Sequence, residues 1–77
     1  MIESTKYSDS YKTKNKVVLK IGDIIHFPRI NRYGCVDLIY KSGGRWKASY
    51  IIFDNNSARK GTFYICYFHE IAKVINA

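Results

Sequence analysis

Cys35-Val36-Asp37-Leu38-Ile39-Tyr40-Lys41, then Ser42-Gly43-Gly44, then Arg45-Trp46-Lys47-Ala48-Ser49-Tyr50-Ile51-Ile52-Phe53: this stretch decides the fold. Two runs rich in β-branched and aromatic residues flank a Gly-Gly pair, which is the pattern of a β-hairpin. Read as a three-residue loop, Ser42-Gly43-Gly44 sets Lys41 opposite Arg45. Tyr40 then faces Trp46, Leu38 faces Ala48 and Val36 faces Tyr50, all on one apolar face. Asp37, Lys41, Arg45, Lys47 and Ser49 fall on the other face, with Ile39 among them. A two-residue loop mixes the two sets, so the segregation of faces selects the longer loop.

Outward from the hairpin, the same rhythm continues. Val17-Val18-Leu19-Lys20-Ile21 leads through Gly22-Asp23 into Ile24-Ile25-His26-Phe27, which stops at Pro28 because proline has no N–H for a ladder. Residues 28–34 read as a loop. Residues 54–61 read as a second, polar loop, and Thr62 to His69 as a fourth, strongly apolar strand. The final segment from Glu70 reads as a short turn followed by a strand. Residues 1–16 alternate Ser, Thr, Asn and Lys without a period of 2 or 3.6, and read as a flexible basic and polar N-terminal arm ahead of a single domain at 17–77.

The 77 residues leave room for one domain. A hydrophobic content of 47% with 25% charged residues is that of a folded chain rather than a disordered one. The expected class is all-β. Four or five short strands with one buried face must close or nearly close to protect their edges, which gives a small, partly open five-stranded barrel. In its Ile21-Gly22-Asp23-Ile24 opening and following meander the chain resembles SH3-like barrels. An oligonucleotide-binding-type barrel is the second choice.

Several functions are disfavoured. No P-loop, GxSxG, HExxH or CxxC is present. The acids Glu3, Asp9, Asp23, Asp37, Asp54 and Glu70 are dispersed, so no carboxylate pair is suggested. His26, His69 and Cys66 could meet only if the first and fourth strands were neighbours. The reading is therefore no enzyme, no cofactor and no metal. No apolar run reaches the ~18–20 residues that span a bilayer, and the N-terminus lacks a secretory h-region. Cys35 and Cys66 alone make no disulfide framework, so a cytoplasmic chain is expected. Eleven Ile and seven Tyr against one Pro and one Trp suggest AT-rich coding sequence, as in a low-GC bacterium or its phage.

Charge says more. Thirteen Lys and Arg against six acids give a net charge of +7. Such an excess favours a polyanionic partner. In an up-and-down meander the loops 28–34 and 54–61 lie at one end, bringing together Arg29, Asn31, Arg32, Tyr33, Asn55, Arg59 and Lys60. Cations to neutralise phosphate, amides to donate hydrogen bonds and a ring to stack are what a DNA or RNA site requires. A second basic group, Lys41, Arg45 and Lys47, lies on the solvent face of the hairpin. The expected function is backbone-dominated nucleic-acid binding. The alternative is a protein-interaction module, such as a phage-encoded modulator of a host protein, in which exposed Tyr64, Tyr67 and Phe68 meet an acidic partner. Self-association as a homodimer through the fourth strand fits either.

Overall fold

The structure is a computed structural model and describes residues 5–54 and 57–75. Its elements in chain order are β1 (Lys6–Ser8), β2 (Ser10–Lys12), β3 (Val18–Lys20), β4 (Ile24–Phe27), β5 (Arg32–Ser42), β6 (Arg45–Asp54) and β7 (Ser57–Tyr64). A single 3-10 turn (Ile65–Tyr67), the one-turn helix α1 (Phe68–Ile71) and β8 (Lys73–Ile75) complete it. The chain is thus predominantly β. No helix among the described residues is long and apolar enough to cross a membrane.

The main sheet runs β7-β6-β5-β4-β8, with β1 also paired to β5. The long strand β5 serves two partners in succession on one side: β4 along Arg32 to Cys35, and β1 along Ile39 to Lys41. A separate two-stranded ribbon, β2-β3, packs over the inner face. The sheets are not closed into a barrel: the main sheet ends at β7 and at β8. Part of the segment read as an arm, Lys6–Ser8 and Ser10–Lys12, is strand, and the turn after β2 is clipped by Thr13, whose backbone and hydroxyl both bond Val17.

The central hairpin corrects the expected register. Ser42 pairs with Arg45, so the turn has two residues, Gly43 and Gly44, both with positive φ (63° and 76°). That is the turn whose twist matches the strands it joins, and glycine adopts it without a Cβ clash. The expected faces survive only in part, because a β-bulge at Asp37 shifts the register between Val36 and Leu38. Val36 therefore keeps its pairing with Tyr50, while Ile39, fully buried, pairs with Ala48. Tyr40 and Leu38 lie on the outer face instead of the core, and Lys41 falls on the inner side opposite Trp46.

Two further boundaries differ from expectation. β7 begins at Ser57, opposite Asp54, so most of the expected loop 54–61 is strand. β7 ends at Tyr64, whereas the expected fourth strand runs to His69. Ile65, Phe68 and Ala72 then recur at helical spacing and are all buried. Beyond that turn, β8 pairs with β4, as the turn-then-strand reading expects.

The core comprises Leu19, Ile25, Phe27, Val36, Ile39, Ala48, Ile52, Phe63, Ile65, Phe68 and Ala72. A ladder of rings crosses it, Phe27–Tyr50 at 4.8 Å, Tyr50–Phe63 at 5.7 Å and Phe63–Phe68 at 5.6 Å between centroids. Gly61 is required beside this ladder because the Tyr50 ring occupies the space a Cβ would take.

Candidate functional site

Alternation along each strand sends every second residue away from the core. The registers align these outward residues in rows across the sheet. At one end lie Tyr7, Tyr40, Lys47 and Tyr64. Next come Leu38, Ser49 and Thr62, followed by Ile75, Ile24, Cys35, Ile51 and Lys60. At the far end Lys73, His26 and Tyr33 form one row, and Phe53 with Ala58 occupy the same level on β6 and β7. Phe53 lies six steps along β6 from Lys47, so the first and last rows are about 20 Å apart.

This outer face is aromatic and basic. Phe53 is 70% exposed, Tyr7 67%, Tyr33 55% and Tyr64 39%. Tyr33 stacks against His26 at 4.7 Å, and Asn31 fixes the histidine through its side-chain oxygen at 3.2 Å from Nε2. The Arg45 guanidinium and the Lys47 ammonium lie 5.3 and 5.4 Å from the Tyr64 ring centroid. These cations are held by a ring rather than by a carboxylate. Among the described residues, no carboxylate occupies an outward ladder position on the sheet. Asp37 sits in the bulge, with its Oδ1 buried and without a hydrogen-bond partner.

The sequence-derived cluster is distributed differently from expectation. Arg29 and Asn31 belong to the exposed turn after β4, where Asn31 takes a positive φ of 51°. Arg32 is paired with Asp54, Nε to Oδ1 at 3.5 Å, which confirms that the two chain reversals share one end but occupies one of the expected phosphate contacts. Arg59 and Lys60 are not loop residues: they lie on β7 opposite Ile52 and Ile51, Arg59 on the inner parity and Lys60 on the outer. Asn55 lies outside the described residues. Of the hairpin group, Arg45 and Lys47 face outward, and Lys41 does not. Of the aromatic alternative, Tyr64 and Tyr67 are exposed and meet edge-on at 6.2 Å, whereas Phe68 is 1% exposed and belongs to the core. Its helical position, not a strand position, turns it inward.

Sequence reasoning missed Phe53, Tyr7 and Lys73 as surface groups. Phe53 follows from the alternation Lys47, Ser49, Ile51, Phe53 on the polar side of its own strand. Tyr7 and Lys73 depend on pairings of three-residue strands that no periodicity marks.

Beside the sheet, at the Tyr64 end, a pocket of about 370 Å³ is lined by three segments: Tyr11 of β2 with Thr13, Lys14 and Asn15 after it, Arg45 and Trp46 at the start of β6, and Tyr64, Ile65, Cys66 and His69. Tyr11 and Trp46 pack at 5.4 Å, and the buried Thr13 shares a 2.8 Å hydrogen bond with His69 Nε2. Cys35 is half-buried and Cys66 exposed, both as free thiols. No cluster of three or more His, Cys, Asp or Glu is placed to hold a metal among the described residues. Compared with known proteins, the chain matches no family model, no curated protein and no solved structure.

Proposed function

We propose that this protein binds single-stranded nucleic acid across the outer face of its main sheet. The observation that carries the reading is the coincidence, on one face, of exposed rings and cations with no outward carboxylate among the described residues. Tyr64 and Tyr7, with the half-buried Tyr40 between them, lie at one end and Tyr33 and Phe53 at the other, with Arg45, Lys47, Lys60 and Lys73 among them. Rings accept the face of an unpaired base whatever its identity, and cations track the phosphates. A duplex keeps its bases stacked internally and offers such rings nothing, so the single strand is the better fit. The buried rows beneath, Val36, Ile39, Ala48 and Ile52, hold the rings on a packed sheet rather than on loops.

The test is a fluorescence-anisotropy titration with labelled single-stranded DNA, single-stranded RNA and duplex DNA, using the wild type, Phe53→Ala and Tyr64→Ala. Each lost stacking partner is expected to cost about 1–3 kcal/mol of binding. Phe53 is largely solvent-exposed, so its loss leaves the fold standing. Tighter binding of duplex than of single strand, or single-strand affinity indifferent to both substitutions, would overturn the reading. Absence of binding at low salt would give this face to an acidic protein partner instead.

A further inference from the structure

We infer that the pocket beside Tyr64 is an end-recognition site, receiving the terminal nucleotide of the bound strand with a phosphate monoester at that end. This deepens the platform reading and rests on it. Two residues belong to both surfaces: Tyr64, whose ring is outward on the sheet, and Arg45, whose guanidinium lies over that ring. A strand lying across the rows therefore reaches the pocket without leaving contact with the protein.

Shape then limits what enters. The turn after β2, the start of β6 and the segment following β7 line the pocket. The volume of about 370 Å³ lies at the small end of the ~300–1,000 Å³ range of small-ligand sites. One nucleotide, not several, is the matching size.

The lining chemistry matches the same group. Trp46, itself packed on Tyr11, and Tyr64 supply aromatic surface for a base. Lys14 and Arg45 supply two positive charges, and no Asp or Glu among the described residues lines the pocket. An internal phosphodiester carries one negative charge. A terminal monoester approaches two at neutral pH, and two cations complement it better. The Thr13–His69 pair adds hydrogen-bonding groups held in place by the Val17 turn.

Trp46 is the sole tryptophan of the chain, so its fluorescence reports on the pocket directly. Short single strands of one sequence, bearing a 5′-phosphate, a 3′-phosphate or neither, would be titrated while following both anisotropy and Trp46 emission. A nucleoside monophosphate would serve as a separate probe. One of the two phosphorylated strands is expected to bind on the order of tenfold more tightly than the unmodified strand, the worth of one charge-assisted hydrogen bond. It should also quench Trp46. Lys14→Gln should bring its affinity down to that of the unmodified strand, and Cys66→Phe, which adds bulk at an exposed lining position, should abolish the quench. Lys12→Gln, on β2 and outside the pocket, should preserve the tenfold preference. Equal affinity for all three strands, with platform binding intact, would overturn the end site alone. Quenching by the nucleoside monophosphate without binding of any strand would overturn the platform and, with it, the assignment of the pocket to a strand end.

Discussion

Removing Lys47 and Lys60 together as K47Q/K60Q is the most discriminating perturbation of the proposed interface. Four cations project from the outer face or over its rings: Arg45, Lys47, Lys60 and Lys73. If each neutralises one phosphate of a single strand, the log–log dependence of affinity on salt has a slope of about −0.7 per contact, or roughly −2.8. Raising salt from about 50 to about 200 mM, a fourfold change, then weakens binding by about 50-fold. The double variant retains two contacts, a slope of about −1.4, and loses only about 7-fold over the same range. Anisotropy titrations at four salt concentrations measure both slopes. Arg32→Gln is the internal control, because Arg32 is committed to Asp54 and has inward parity. Its slope should equal that of the wild type. A slope that is unchanged in K47Q/K60Q but shallower in Arg32→Gln would refute the outer-face assignment and return the site to the turn at the sheet's end.

The fold carries its own predictions. Gly61→Ala places a methyl group in the space of the Tyr50 ring, which Phe27 and Phe63 hold from either side. A cost of about 1–3 kcal/mol is expected, a fall in Tm of roughly 4–20 °C in a thermal melt. Tyr50→Leu in the same chain should make the two effects markedly less than additive. Phe68→Ala removes a fully buried ring and should cost about 3–5 kcal/mol in urea unfolding, whereas Tyr67→Ala, one residue earlier and half-exposed, should stay within about 0.5 kcal/mol. Equal effects would contradict the helical turn. Gly43→Asn suits the positive φ at that turn position and narrows the unfolded ensemble, so its urea midpoint should rise by the equivalent of about 0.4–1 kcal/mol.

The strand character of the chain was legible because β-branched and aromatic runs alternate with turn chemistry throughout. The central hairpin shows where that reasoning stops. Its two strands and its glycine turn follow from local pattern, but local pattern implies a single register for the whole pair. Asp37 breaks it, and a bulge leaves no mark in composition beyond one acidic residue among apolar ones. Arg59 and Lys60 read as loop residues because Asn55-Asn56-Ser57 is strong turn chemistry and charge usually follows it. Their strand conformation comes from the ladder with β6, a tertiary cause. The helical spacing of Ile65, Phe68 and Ala72 was visible in principle, yet it was outweighed by the β propensity of Phe63 to Phe68 taken together. Of the interface, the sequence shows the charge and the rings. Which of them share a face depends on strand pairings between residues as distant as Tyr7 and Tyr40.

The open edge at β7 has a bearing on colloidal behaviour. Among the described residues its outer backbone N–H and C=O groups have no strand partner, and an uncovered edge is a template for another copy of the same chain. Arg59 and Lys60 sit on that edge beside the apolar Ile51 and Ile52, so two edges approaching each other bring like charges together. The same ammonium group assigned to phosphate thus also acts as a gatekeeper against edge-to-edge aggregation. Removing it lowers that barrier, so K47Q/K60Q should sediment as larger species at high protein concentration while Arg32→Gln remains unchanged.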